Sequence, residues 1–152
     1  MNTLAREDCK SELVQRLTRT RPDCLRRWGR MTAHQMVCHL SDTFRMALGQ
    51  KHVRNVGGLG HRTLIKWLAL YTPLTWRPGI VTTPEVDQEF GGTRPAEFSV
   101  DLKQAEDLLI LVASRVGSAA WPDHPVFGRM SERDWMRWAY LHTDHHLRQF
   151  GL

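Results

Sequence analysis

Apolar side chains recur every three or four residues in five segments of the chain, which is the spacing of helices that bury one face. The helices predicted from this spacing cover residues 3–17, 32–48, 61–71, 95–115 and 131–150. No segment alternates apolar and polar residues in the way that a half-buried strand would. The sequence therefore predicts an all-α fold.

Two of the predicted helices begin with a capping signal. Thr32 and Gln35 stand three residues apart and can form a capping box, in which each side chain pairs with the backbone N–H of the other residue. Ser131 can cap the last helix, with Asp134 three residues later. Pro95 is expected in the first turn of the fourth helix, because proline suits that position.

The predicted helices are joined by connections of very different length. Residues 19–30 are expected to hold a short helical turn at 24–28, and residues 117–130 form a loop. The long irregular connection at residues 72–92 is interrupted repeatedly by proline and glycine, so no helix is expected to pass through it. A connection of this length in a compact domain is usually functional or disordered.

Length and composition favour one globular domain covering residues 1–152. The chain is 41% hydrophobic and 24% charged, close to the average for globular proteins. No apolar run approaches the roughly 20 residues that span a bilayer, and the first residues show no secretory signal. We therefore expect a cytoplasmic protein with no membrane partner. The three cysteines form no Cys-x-x-Cys pair, which argues against a disulfide framework and a thiolate zinc site.

The formal net charge of +5 raises the question of nucleic-acid binding. Much of this charge comes from arginines among the first thirty residues, but aromatic residues do not alternate with them and acidic residues dilute them. This pattern is typical of a solvated, mildly basic surface, and no nucleic-acid partner is expected.

The last predicted helix carries the most informative histidines. His142 and His146 are four residues apart, so their side chains lie on one face, together with tryptophans expected in the core. A buried neutral imidazole needs partners for both ring nitrogens. A metal ion can supply one of them, and a carbonyl or carboxylate the other.

A third ligand can come from the second predicted helix, which offers His34 and His39. These residues are five apart and cannot face the core together. His34 belongs to the first turn, where solvent exposure is expected, whereas His39 shares its face with Met36 and Thr43. We therefore predict a metal site of His39, His142 and His146. A pair of histidines on a solvated surface or at a helix end is the alternative interpretation.

Three parts of the sequence resemble the DinB-like (YfiT-like) superfamily of metal-binding helical bundles. Residues 27–42 (RWGRMTAHQMVCHLSD) resemble its His-Leu-x-Asp segment on the second helix, and residues 142–149 (HTDHHLRQ) resemble its His-x-x-His-His-x-x-Gln motif on the last helix. Residues 84–87 and 91–98 (PEVD and GGTRPAEF) are similar to a subfamily of small, uncharacterised bacterial proteins within that group.

The resemblance implies an up-down four-helix bundle with a divalent metal, zinc or nickel, held by three histidines. Transferred by motif, these are again His39, His142 and His146. It also implies homodimers and, in some members, transfer or isomerisation reactions that use a low-molecular-weight thiol.

Function is expected to be that of a metal-dependent enzyme, of a thiol-dependent transferase or hydrolase type, acting on a small molecule. Three histidine ligands leave a coordination position open, as in catalytic zinc sites. Asp42 is expected to orient a ligand histidine or act as a base, Gln149 to position substrate, and His145 to carry protons or cap the pocket. Residues 72–92, with their acidic side chains, are expected to form a lid. The alternatives are a bundle in which the metal only joins helices or is sensed, and a nucleic-acid binder.

Overall fold

The computed structural model describes residues 1–73, 75–79, 82–117 and 120–152. Within these ranges it contains five α-helices and no β-strand, which confirms the all-α class. The helices are α1 (Glu7–Leu17), α2 (Ala33–Ala47), α3 (Lys66–Tyr71), α4 (Phe98–Ser114) and α5 (Glu132–Gln149). A π-helical turn, His61–Ile65, leads into α3, and a 3-10 helix covers Pro84–Val86.

The four longer helices, α1, α2, α4 and α5, pack around a shared apolar core. The most extensive interface joins α2 to α4, while α1 lies against both α4 and α5. Helix α5 also contacts α2 and α3. Fully buried side chains at the centre come from each of the four helices, for example Leu13, Phe44, Leu109 and Trp135. Because α2 and α5 share this core, their inward faces approach each other.

Both predicted helix caps are present, and each forms a capping box. The Thr32 hydroxyl accepts from the Gln35 N–H at 3.1 Å, and the Gln35 amide oxygen accepts from the Thr32 N–H at 2.8 Å. Ser131 and Asp134 make the equivalent pair at 3.2 and 3.0 Å. An N-cap of this kind stabilises a helix by about 1 kcal/mol. These caps determine where the two histidine-bearing helices begin.

Two predicted helix starts were wrong. Helix α1 begins at Glu7 rather than at residue 3, because the Leu4 N–H donates to the Met136 carbonyl at 3.0 Å and holds the chain against α5. Helix α4 begins at Phe98, after Glu97, whose carboxylate accepts from the Ser99 N–H. Pro95 therefore lies outside the helix.

The connections also differ from the prediction in part. Residues 24–28 form no helical turn, since the Arg27 N–H donates to the Gln149 carbonyl at 2.7 Å instead of to its own segment. The described part of residues 72–92 holds the short 3-10 helix but no helix that passes through the connection, as predicted. Leu74, Ile80 and Val81 in this connection, and Ser118 and Ala119 in the predicted loop 117–130, lie outside the described residues.

The predicted helix at residues 61–71 is present as the π-helical turn followed by α3. It buries Leu70 completely but leaves Leu64 and Trp67 more than half exposed. None of the described helices has both the length and the apolar character required to cross a membrane.

Candidate metal centre

The structure brings the three predicted histidines together between α2 and α5. One ring nitrogen from each of His39, His142 and His146 lies within 4.8 Å of the other two. His39 and His146 are buried, while His142 is partly exposed. The group thus lies inside the molecule but can be reached from one side.

The His39 ring is oriented by a backbone carbonyl. Its Nδ1 lies 2.7 Å from the carbonyl oxygen of Val86, in the 3-10 helix. A carbonyl oxygen can only accept a hydrogen bond, so Nδ1 carries the ring hydrogen. The lone pair of His39 is therefore on Nε2, which lies 3.3 Å from Nε2 of His142.

The His146 ring is oriented in the same way by a side-chain amide. The Gln149 nitrogen donates to the Trp28 carbonyl at 2.9 Å, so the Gln149 oxygen faces Nδ1 of His146, also at 2.9 Å. Because that oxygen can only accept, Nδ1 carries the hydrogen and Nε2 keeps its lone pair. Two imidazoles thus direct unprotonated Nε2 atoms into one small volume.

Within the described part of the chain, one ring nitrogen of His142 has no hydrogen-bond partner. Its ring stacks on Trp138, one helical turn earlier, with ring centroids 4.7 Å apart. Its Nδ1 is buried and has no hydrogen-bond partner among the described residues, while its Nε2 lies 3.3 Å from the unprotonated Nε2 of His39, to which it can donate. A cation among the three Nε2 atoms would compensate for their burial and would give these nitrogens a common partner.

The spacing of the nitrogens suits a first-row metal ion. Nitrogen ligands at about 2.0–2.1 Å from a tetrahedral ion are separated by about 3.3 Å, and the His39–His142 pair has an Nε2–Nε2 distance of 3.3 Å. The described residues of the site therefore fit a divalent ion without rearrangement of this pair.

Burial also keeps the three imidazoles in the form that binds metal. Desolvation lowers the pKa of His39, and it lowers the pKa values of His142 and His146 well below the ordinary range. For His142 and His146, repulsion from the neighbouring imidazoles lowers the pKa further. Neutral histidine is the metal-binding form, so protons compete weakly for this site.

Aromatic side chains surround the open side of the three histidines. Trp76 lies with its ring centroid 6.3 Å from that of His142 and 6.2 Å from that of His145. His145 is itself buried and also packs against Trp28. A groove of about 200 Å³ adjoins Trp76 and is lined in part by Leu141 and Arg148. Trp76 thus takes part in both the groove and the surroundings of His142, while the three histidines are not among the described residues that line the groove.

The expected role of Asp42 as a base or as a partner of a ligand histidine was wrong. Its carboxylate is fully buried and accepts from the backbone N–H and hydroxyl of Thr93, both at 2.7 Å, and from the Gln88 amide at 3.2 Å. Arg45 and Lys51 pair with the same carboxylate. Asp42 thus anchors the chain that follows the 3-10 helix.

The expected role of Gln149 in positioning substrate is replaced by its contact with His146. Its amide lies 3% exposed between His146 and Trp28, so it faces no open pocket. The close approach of the chain at Trp28 depends on Gly29, where an added Cβ would lie 2.6 Å from the Gln149 nitrogen.

Residues 72–92 contribute to the site through Val86 and Trp76. Their acidic side chains instead form ion pairs: Glu85 with Arg54, and both Asp87 and Glu89 with Arg30. The sequence does not predict the roles of the Val86 and Trp28 carbonyls, because every residue has a carbonyl and no pattern marks these two.

His34 is not solvent-exposed as expected. Its Nε2 lies 2.7 Å from the Asp101 carboxylate of α4, and the imidazole is 20% exposed. The Cys38 thiol, one turn later, faces the same carboxylate oxygen at 3.7 Å. Burial raises the pKa of Cys38 to about 12, so its thiol keeps its proton when no cation is near.

A family model described as a protein of unknown function, DUF1569, matches residues 59–151. The chain belongs to this family. The DUF1569 match includes His142 and His146 on α5 and begins after α2, so His39 precedes it. Neither the curated proteins nor the solved structures include a match to the chain.

Proposed function

We propose that this DUF1569 protein binds one divalent metal ion, zinc or nickel, through His39, His142 and His146, and that it is a metal-dependent enzyme of the thiol transferase or hydrolase type. The observation that carries the proposal is the convergence of three neutral imidazoles, two of which have their hydrogen held on the remote nitrogen by Val86 and Gln149. We further propose that the helices form a DinB-like up-down bundle and that the chain forms homodimers, which sedimentation analysis would test.

When bound, the ion would supply Lewis-acid chemistry and lower the pKa of a water molecule or thiol at its open position. The chain's own residues have supporting roles. Val86 and Gln149 hold two imidazoles in the required tautomer, and Trp138 supports the third by stacking. Trp76 covers His142 and His145 and restricts the access of bulk water.

Access distinguishes an enzyme from a bundle in which the metal only joins helices. Structural zinc sites are closed by four protein ligands, whereas catalytic sites keep a position open. The described residues bring three histidines together here, and His142 among them is partly exposed. These features favour a catalytic site.

Metal content is the first test. Elemental analysis of protein purified without an affinity tag should find a metal ion at the three-histidine site, and His142→Ala should contain one ion per chain fewer than the wild type because two ligands cannot retain it. His52→Ala is the matched control, since His52 is exposed and remote from the site's contacts. A His142→Ala protein with the same metal content and affinity as the wild type would refute the three-histidine site.

The open position is tested separately with cobalt in place of the native ion. Azide, or an added small thiol, should shift the visible absorption of the cobalt-loaded protein by entering the vacant position. An unchanged spectrum at saturating azide and thiol, with cobalt still bound, would favour the metal-joined bundle over the enzyme.

A further inference from the structure

A second group of metal-ligand side chains lies between α2 and α4. His34 and Cys38 are four residues apart on α2 and share one face, and Asp101 reaches them from the first turn of α4. One donor atom from each of the three residues lies within 4.8 Å of the others. His39, adjacent to Cys38, instead contacts α5, because neighbouring helix residues point about 100° apart.

The distances in this group are close to those around a tetrahedral ion. Ligands at the usual zinc distances are about 3.3 Å apart for nitrogen and oxygen, and about 3.5 Å apart for sulfur and oxygen. The Asp101 Oδ2 lies 2.7 Å from Nε2 of His34 and 3.7 Å from Sγ of Cys38. Side-chain rotations that separate imidazole from carboxylate by about 0.6 Å would satisfy both values.

Neighbouring groups already hold two of these side chains in place. The Ala96 N–H donates to Oδ2 of Asp101 at 3.0 Å, and the ring of Phe98 packs edge-on against His34 at 5.2 Å. Such supporting contacts orient metal ligands in proteins. The His34 and Asp101 side chains are 20% and 13% exposed, so an ion can enter from solvent and keep a water molecule as its fourth ligand.

The donor set differs in charge from the three-histidine site. A thiolate and a carboxylate bring two negative charges, which balance a divalent cation, whereas the three imidazoles are neutral. Mixed sulfur, nitrogen and oxygen ligands suit zinc-like ions rather than magnesium or calcium.

We propose that His34, Cys38 and Asp101 form a second metal site, specific for a zinc-like divalent ion, that joins α2 to α4. On binding, the Cys38 thiol proton is released to solvent, and the hydrogen that His34 holds on Nε2 towards Asp101 is exchanged through solvent to Nδ1, which leaves the Nε2 lone pair for the ion. No electron transfer or covalent step is involved.

Cobalt(II) tests this proposal because only a sulfur ligand gives a thiolate-to-cobalt charge-transfer band in the near ultraviolet. Wild-type protein, kept reduced with a phosphine and free of added thiols, should bind two cobalt ions per chain and show the band. Cys38→Ser should bind one ion and lose the band, while Cys24→Ser, the matched control at a less buried cysteine, should keep both.

Far-UV circular dichroism tests whether Cys38→Ser is folded. If this variant is unfolded, Cys9→Ser and Cys24→Ser assign the band by elimination, since a band that survives both substitutions belongs to Cys38. His142→Ala should lose the other cobalt ion but retain the band, which separates this site from the three-histidine centre. Absence of the band at saturating cobalt in wild-type protein, or its persistence in Cys38→Ser, would overturn the proposal.

Discussion

Gln149 makes two buried hydrogen bonds whose directions depend on each other. Its nitrogen is committed to the Trp28 carbonyl, which leaves its oxygen for Nδ1 of His146. This residue therefore decides which nitrogen of His146 is free for a metal ion. At the residue scale, the properties of the site depend on such partners as much as on the histidines.

Gln149→Ala removes both hydrogen bonds and should reduce metal affinity by about 10–100-fold, the usual cost of losing a group that orients a ligand. It should also lower the free energy of unfolding by about 1–3 kcal/mol, because two buried polar groups lose their partner. Competition with a chromogenic chelator measures the affinity. Gln15→Ala, at an exposed position of α1, is the control; equal affinities for the two variants would contradict the assigned role.

Gly29 combines a positive φ of 76° with the close approach to Gln149. Gly29→Ala should destabilise the protein through both effects, since a left-handed conformation costs a residue with a Cβ about 1–2 kcal/mol. Gly49 has almost the same φ, 75°, but apart from its chain neighbours the described residues place no atom within 4 Å of an added Cβ. Gly49→Ala should therefore show the backbone cost alone. Urea unfolding measures the stability of the two variants and metal titration measures their metal affinity. Only Gly29→Ala should weaken metal binding.

At the scale of elements, α2 is connected to the chain beyond the 3-10 helix by Asp42. This buried carboxylate holds the Thr93 backbone and the Gln88 amide, and so places the segment that begins with Val86. The 3-10 helix in turn orients His39. His39 and Asp42 are three residues apart on α2. Asp42 holds the segment after the 3-10 helix in place, and the 3-10 helix orients His39 through the Val86 carbonyl.

Asp42→Asn should lower the free energy of unfolding by about 3–5 kcal/mol, because it removes the fully buried charge that pairs with the partly exposed Arg45 and Lys51. Its metal stoichiometry should remain that of the wild type, since no described contact joins Asp42 to a ligand histidine. Asp107→Asn, at an exposed position of α4, is the matched control and should change stability by less than about 1 kcal/mol. Loss of metal from a folded Asp42→Asn protein would contradict this prediction and would indicate that Asp42 does support a ligand histidine.

At the scale of the whole molecule, buried histidines make stability depend on pH. His124 is 5% exposed; its Nδ1 accepts from the N–H groups of Val126 and Phe127. Desolvation lowers its pKa from 6.5 to about 3. The unfolded chain thus takes up a proton at a pH where the folded chain does not, so stability is retained above pH 6.5 and falls as the pH decreases towards about 3.

His124→Asn should reduce this acid sensitivity. One such histidine lowers the free energy of unfolding by about 2 kcal/mol between pH 7 and pH 5. The decrease between these pH values should therefore be about 2 kcal/mol smaller in the variant than in the wild type. Urea unfolding of metal-free protein at both pH values measures the difference. His61→Asn, at an exposed histidine, is the control and should keep the wild-type slope.

Much of the fold follows from local sequence signals. The capping boxes at Thr32 and Ser131 involve residues three apart, and the helical spacing of apolar residues marks the inward faces of α2 and α5. The predicted ends of α1 and α4 were less accurate, because Leu4 pairs with Met136 and Glu97 acts as the cap. Both errors come from contacts that residue spacing does not describe.

The sequence by itself determined that His39, His142 and His146 face inward, because the periodicity of a helix places them on the faces that carry the core residues. Only the tertiary structure decided what those side chains meet. Val86 and Gln149 hold the ring hydrogens, Asp42 serves as an anchor, and His34 turns to Asp101. These outcomes depend on contacts between segments far apart in the chain, and such contacts exist only after the helices have packed.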